Sequence, residues 1–363
     1  MLSPADYFDH AATTPLAPEA LREMESYLGL VAGNAGSIHA FGRRAEAAVE
    51  LARERVAEAV GAEDPQQIVF MSGATEGCNA VLSQFEGGWI SPFEHAAVRE
   101  PALVKGYGVL ENEGLSIVEH ASPNADTAID DPRSTLTAVM AVNNEIGAPW
   151  DVRELSAQAR FVDATQALGK VPVDLDGIDY AVFSAHKLYG PQGVGALFTA
   201  DGHLDPYQKG GEQEGGRRAG TVNVAGVVGF GAACALIAER QAEDHAHATE
   251  LRGIVLDELR DLSDWAVNGG EAAVPHILSL SFLGLEGETL VIEADRGGFA
   301  ISAGAACSSR STEPSHVLTA LGVPDVWRRG TVRISFGRAN TRESAASLAR
   351  VVVRSAEKLR TIG

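Results

Sequence analysis

The chain has 363 residues, 45% of them hydrophobic, and 29 Lys+Arg against 49 Asp+Glu give a formal net charge of −20. That length suits two domains of ~150 residues, the apolar content excludes a disordered tail, and the acidic balance speaks against nucleic acid, which demands a basic face. No run approaches the ~20 apolar residues that span a bilayer, and MLSPADYFDHAATTP lacks the basic region and apolar core of a secretion signal, so neither membrane insertion nor secretion is expected.

Finer features agree. The short basic clusters, Arg217-Arg218 and Arg328-Arg329 leading to Arg333, do not offset the negative charge. Cys78, Cys234 and Cys307 are odd in number and far apart, which argues against a disulfide framework and for a reducing, cytoplasmic compartment. There is no CxxC pair and no HExxH, so no metal site is expected. His245 and His247 lie two apart, do not share a helix face, and are expected to be solvated.

In chain order, residues 44–60 have the spacing of an amphipathic helix closed by Gly61. Residues 67–71 read as a strand, followed by a glycine turn and a helix start. Residues 134–147 form another apolar strand that ends in polar residues. A helix is predicted over 152–159, a strand ending at Asp163, a strand entering Ser184, and a further strand in GVGALFT. Strand, polar end and helix recur from about 44 to 200, the signature of a mostly parallel α/β sheet. Ligands of such sheets sit beyond the carboxyl ends of the strands. From about 223 the pattern changes to a long alanine-rich helical region, then a strand at 276–282, a helix in GETLVIEADRGG, a glycine- and serine-rich loop around Cys307, the strand TVRISFGR and a final helix over 342–359. This reads as a second, smaller α+β domain.

The polar residues at the strand ends each have a plain role when taken singly. SGATEG (72–77) is a strand-to-helix turn, Asp163 an N-cap, Asn144 a turn residue, His95 a helix start and Lys187 a surface lysine. Together they have one economical explanation, pyridoxal phosphate (PLP). That cofactor needs a lysine for a Schiff base and an acid for its pyridinium nitrogen. It also needs donors for its phosphate, which a helix N-terminus supplies. Lys187 follows Asp163 by one strand-turn-strand unit, so two neighbouring strand ends can hold opposite parts of one ring.

The chain also resembles the cysteine desulfurases of the NifS/IscS-like branch of the class V aminotransferases. The resemblance runs nearly end to end, through FDHAATTP (8–15), GNAGSIHAFGRRA (33–45), IVFMSGATE (68–76), VNNEIG (142–147), VDATQALGKVPVD (162–174), FSAHKLYGPQGVGAL (183–197), GGEQEGGRRAGTVN (210–223), AGAACSS (303–309), EPSHVL (313–318) and VRISFGR (332–338). It implies the PLP-dependent transferase fold type I, with a large PLP domain over 14–243 and a small domain from 1–13 and 244–363. It implies that Lys187 forms the Schiff base, Asp163 pairs with the pyridine nitrogen, Gln166 and Asn144 bond the phenolic oxygen, and His95 stacks on the ring. Thr75, Ser184 and His186 would bind the cofactor's phosphate, with Thr221 reaching the site from a second subunit in a homodimer, and Ala74 would also contact the cofactor. Asn34 and Arg333 would hold the substrate carboxylate, a task suited to a planar, two-donor arginine.

Cys307 lies in a stretch of small polar residues expected to be exposed. A free thiol with pKa near ~8.5 is mostly protonated at neutral pH and needs activation, by His95 or by the substrate complex. Cys78 and Cys234 sit in apolar helical stretches and read as core residues. The chain departs from the family pattern at Ala35, Ala185, Ala303 and Ala305, none of which removes a catalytic group. The implied activity is conversion of L-cysteine to L-alanine with a persulfide on Cys307, passed to a protein acceptor or iron–sulfur scaffold. The rivals are a selenocysteine lyase, another enzyme of the same fold, and a PLP-retaining scaffold without activity.

Overall fold

The computed structural model describes residues 3–29, 33–110, 136–151, 153, 157–304 and 315–362. Eleven strands are described: β1 (Ile68–Met71), β2 (Gly88–Ile90), β3 (Gly108–Val109), β4 (Leu136–Met140), β5 (Ala159–Asp163), β6 (Tyr180–Ser184), β7 (Gly195–Thr199), β8 (Trp265–Asn268), β9 (Ile277–Phe282), β10 (Ser302–Ala303) and β11 (Thr331–Ser335). The helices are α1 (Pro18–Leu28), α2 (Ala40–Val60), α3 (Ala74–Ser83), α4 (Ala96–Val104), α5 (Val224–Ala235), α6 (Ile237–Leu259), α7 (Gly287–Arg296), α8 (His316–Ala320), α9 (Asp325–Arg328) and α10 (Arg342–Ile362).

Strands β1 to β7 form one sheet in the order β1-β7-β6-β5-β4-β2-β3. The run from β6 to β3 is parallel, while β7 is antiparallel to both of its neighbours. Side chains alternate across a strand, and here both faces are covered. Ile68 and Phe70 join Val56, Phe183 and Phe230 on the side of α2 and α5. Val69 and Met71 join Cys78, Val98 and Val182 on the side of α3 and α4. Burial on two faces explains why β1 and β4 read as continuous apolar runs rather than alternating ones. Gly77 lets α3 lie close to this sheet, since a Cβ there would come within 2.7 Å of Val182 Cγ1.

The second sheet, β10-β11-β9-β8, is antiparallel throughout. Leu278, Leu280, Phe282, Val332 and Ile334 pack on Leu251, Val255, Leu348 and Val352 of α6 and α10. The N-terminal segment bridges to this half at Tyr7–Ala300 and Asp9–Ser335, and Phe8 is fully buried in its core.

One expectation needs correction, the solvation of His247, and two others are refined. The alanine-rich helical region after 223 consists of two helices, α5 and α6, which meet at a 65° bend. Residues 225–234 are buried all round, whereas α6 buries only Ala248, Leu251, Val255 and Leu259, so one run serves two packing tasks. In the predicted helix 152–159, residues 152 and 154–156 lie outside the described residues, and Ala159 already belongs to β5. His247 is not solvated: its Nε2 meets the Asn340 carbonyl at 3.0 Å, whereas His245 is exposed. No single described helix is long and apolar enough to cross a membrane.

Candidate active site

The polar strand ends meet because their strands are neighbours in the sheet. Asp163, the last residue of β5, pairs in register with Met140 of β4 and Val182 of β6. Gly195, which opens β7, lies opposite both Ser184 and Met71. The carboxyl ends of β1, β4, β5 and β6 therefore open on one cavity of about 620 Å³, a size that holds small ligands. Gly195 makes the approach possible, since a Cβ there would stand 2.4 Å from the Phe183 carbonyl oxygen and 2.8 Å from Gly73 Cα.

Ala74, Thr75, His95, Asn144, Asp163, Gln166, Ser184, His186, Lys187 and Arg333 all line this cavity. Asn34 and Thr221 do not; both are exposed in the single chain, and Asn34 Oδ1 accepts from its own turn at Gly36 N. Cys307 lies outside the described residues. Cys78 and Cys234 are buried, and burial pushes both thiols up, which suits core residues and not nucleophiles.

Lys187 Nζ donates to the Ala11 and Ala12 carbonyl oxygens at 2.6 and 2.7 Å. The residue two further on, Tyr189, has φ 65°, a left-handed conformation that is uncommon outside glycine. Its surroundings over-determine it: its N–H donates to Thr14 Oγ1 at 2.7 Å, its hydroxyl accepts from Arg338 N at 2.9 Å, and the Arg338 guanidinium lies 4.0 Å from its ring centroid. Such strain persists only where neighbours enforce it, and here it fixes the backbone that carries Lys187.

Asp163 is buried, and its Oδ1 accepts from Thr165 N at 3.0 Å. It thus has the turn role and faces the cavity as well. His95 is likewise both, capping α4 through Nδ1 to Ala97 N at 3.1 Å and lining the cavity. His186 Nδ1 meets Thr13 Oγ1 at 3.0 Å. Burial, with the nearby Lys187 charge, pushes His186 down to about 4, so it is neutral near pH 7. Gln166 Nε2 donates to the Ala11 carbonyl at 2.9 Å, while Gln166 Oε1 and Thr165 Oγ1 are buried without a hydrogen-bond partner. Unmet buried polar atoms at a cavity wall are what an absent polar ligand leaves behind.

Arg333 is 1% exposed. Its Nη2 donates to Asp9 Oδ1 at 2.8 Å and its Nη1 to the Asn144 carbonyl at 2.7 Å, while its Nε is buried with no hydrogen-bond partner. Next to Asn144, Asn143 shapes the turn by accepting from Glu145 N and Ile146 N. Glu145 is buried and accepts from Ser315 Oγ at 2.5 Å, and burial pushes its carboxyl up to about 7. Glu94, beside His95, is fully buried and accepts from Ser91 Oγ and Met140 N. Burial pushes it up to about 8, with the Asp163 charge adding to the rise. Asp9, Thr13, Glu94 and Glu145 were not singled out from the sequence as site residues. Asp9 and Thr13 stand in FDHAATTP and Glu145 in VNNEIG, so the motifs marked their neighbourhoods without giving their partners.

These residues fit PLP. A lysine and a buried acid flank one cavity, a helix N-terminus opens on it, and unmet polar atoms line its wall. Fold and cavity define an α/β enzyme of the PLP-dependent fold type I. The chain belongs to the class-V aminotransferase family, whose profile matches residues 6–348. It is 38% identical to the cysteine desulfurase IscS of Dictyoglomus turgidum over 377 residues, covering 98% of this chain and 95% of that one. It is 40% identical to a cysteine desulfurase of a Frankia species over 389 residues, covering 98% and 92%. Among solved structures it is similar to a NifS-like protein, with a TM-score of 0.85, 31% identity and coverage of 99% and 100%. It is also similar to the cysteine desulfurase CsdA of Escherichia coli, with a TM-score of 0.78, 26% identity and coverage of 98% and 95%.

Proposed function

We propose that this protein is a PLP-dependent L-cysteine desulfurase. One observation carries the reading. Lys187, Asp163 and the N-terminus of α3 converge on a single cavity in a chain whose full-length relatives include cysteine desulfurases. When bound, PLP supplies an electron sink for the bond changes at the substrate Cα. Lys187 is the anchor for the cofactor and the base that moves the Cα proton. Asp163 keeps the ring nitrogen protonated. Arg333 binds the substrate carboxylate, and His95 covers the ring.

Cys307 is the sulfur acceptor. Its thiolate attacks the substrate sulfur, the substrate Cβ–S bond breaks as an S–S bond forms, and the carbon fragment takes up protons to become alanine. The balance is L-cysteine plus enzyme thiol to L-alanine plus enzyme persulfide, with no external oxidant. The persulfide then passes to a protein acceptor for iron–sulfur or thio-cofactor assembly, in the cytoplasm.

The same reading makes the protein a homodimer, with Thr221 of each subunit completing the phosphate site of the other. Its exposure in the single chain supports this role. It also divides the chain into a large domain over 14–243 and a small domain from 1–13 and 244–363.

The test is turnover of L-cysteine and L-selenocysteine in parallel. Equimolar alanine from cysteine at a rate comparable with that from selenocysteine supports the reading. Turnover confined to selenocysteine would replace it with a selenocysteine lyase.

A further inference from the structure

Glu76 poses an electrostatic problem. It is the third residue of α3, whose first turn carries amide N–H groups with no partner inside the helix. Such a turn attracts anions, and Ala74, Thr75 and Glu76 all face the cavity. A carboxylate in that turn repels a phosphate and competes with it for the same donors.

The structure shows how the carboxylate is occupied. Glu76 Oε2 accepts from Ser72 N at 2.7 Å, which ties the residue that follows β1 to the first turn of α3. Arg218 holds both oxygens, with Nε to Oε1 at 2.9 Å and Nη2 to Oε2 at 3.3 Å. The pair is largely buried, with side chains 20% and 12% exposed for Arg218 and Glu76. Burial alone raises the Glu76 carboxyl, but the hydrogen bonds from Arg218 and Ser72 outweigh it and hold the group below its usual range. Glu76 is therefore an anion at neutral pH.

Arg218 is itself held firmly. Arg217 donates to the Gln66 and Gly202 carbonyls at 2.5 and 3.0 Å. Ala219 N donates to the Gln208 carbonyl at 3.0 Å, and Gln208 Nε2 returns a bond to the Ala219 carbonyl at 2.7 Å. A two-donor guanidinium on a pinned segment meets a carboxylate with little loss of side-chain freedom.

We propose that Arg218 is a positioning residue for phosphate binding. It neutralises Glu76, so that Glu76 can shape the strand-to-helix turn through Ser72 N–H without driving a phosphate away from it. The inference rests on the reading of the cavity as a PLP site and adds a pair that acts on the phosphate without touching it. Its signature is a charge effect: removing the arginine leaves an unpaired carboxylate, and removing that carboxylate's charge as well cures the defect.

The experiment uses full-length protein stripped of cofactor, as wild type, Arg218→Gln, Glu76→Gln and the double variant. Glutamine at 76 keeps an oxygen for Ser72 N–H. Each is titrated with PLP and with pyridoxal, which lacks the phosphate, and binding is read from the absorbance of the bound aldehyde. Arg218→Gln is expected to weaken PLP at least ~10-fold at low salt, the scale of one unpaired charge in a partly buried site, and to leave pyridoxal unchanged. The double variant is expected to return PLP affinity to within about threefold of wild type, a strong coupling between neighbours. Arg218→Gln with wild-type PLP affinity, an equal loss for pyridoxal, or a double variant no better than Arg218→Gln would each overturn the proposal. Wild-type titration is read first: failure to bind PLP there would overturn the cofactor reading and this inference with it, whereas wild-type binding with no charge rescue overturns the inference alone.

Discussion

Asp9 and Arg333 stand 324 residues apart in the chain, yet Arg333 Nη2 donates to Asp9 Oδ1 over 2.8 Å beside the cavity. Arg333 is on β11, and Asp9 is in the N-terminal segment that bridges to the end of the same strand. The buried guanidinium is held by this carboxylate on one side and the Asn144 carbonyl on the other. A flexible arginine has about 2 kcal/mol of rotamer freedom, and this pairing removes it before any substrate arrives.

Asp9→Asn is accordingly expected to loosen Arg333 and to raise KM for cysteine about 10-fold, with a smaller change in kcat. It is also expected to destabilise the fold by about 3 kcal/mol, because a buried guanidinium loses its countercharge. Steady-state kinetics with cysteine and denaturant unfolding check both parts. An unchanged KM would mean that Arg333 does not bind the substrate carboxylate.

Asp163 makes the turn bond to Thr165 and is proposed to pair with the cofactor's ring nitrogen, and a single substitution separates the two roles. Asp163→Asn keeps an oxygen for Thr165 N, the bond seen at 3.0 Å, but removes the charge. Folding is expected to change by less than about 1 kcal/mol, the scale of a retained hydrogen bond. The rate is expected to fall at least ~100-fold, which is about 2.7 kcal/mol at 1.36 kcal/mol per decade. Thermal melting and kcat measured on the same preparation decide it. Normal turnover would reduce Asp163 to a turn residue.

Glu94 makes stability depend on pH. Its carboxyl rises from an ordinary 4.5 to about 8 on folding, with burial as the main cause. Between those values the native state holds a proton that the unfolded state has released, so stability falls as pH rises through this window. Glu94→Gln is expected to remove that slope and to gain a few kcal/mol relative to wild type at pH 8. Urea unfolding of both proteins at pH 5 and pH 8 checks the sign. A wild type that gains stability over this interval by as much as the variant does would show that Glu94 folds ionised.

Much of this architecture is legible in the sequence because it is local. The apolar spacing of α2 and its closing Gly61, which has φ 77°, are read from one stretch of chain. So are the strands that end at Asp163 and Ser184, where apolar residues give way to polar ones. The sharing of one cavity by those strand ends follows from their adjacency in the sheet. What escapes the sequence is pairwise and distant. Nothing local tells that Glu76 meets Arg218, that Asp9 meets Arg333, or that Ser315 meets Glu145. The bend between α5 and α6 escapes for another reason: alanine-rich composition suits both a helix buried all round and one buried on a single face, and tertiary packing makes the choice.

The central claim is that sulfur leaves cysteine by way of Cys307. The measurement is a single turnover of L-cysteine on wild-type and Cys307→Ser holoenzyme, with thiol-specific labelling and mass spectrometry for persulfide alongside quantitation of alanine. The wild type is expected to carry one additional sulfur on Cys307 and to release one alanine per site. The serine variant is expected to retain bound PLP and to yield neither product, because a hydroxyl is barely ionised at neutral pH and is a poor nucleophile toward sulfur. A Cys307→Ser protein that forms alanine and free sulfide at the wild-type rate would contradict the account and leave a PLP-dependent lyase that needs no protein persulfide.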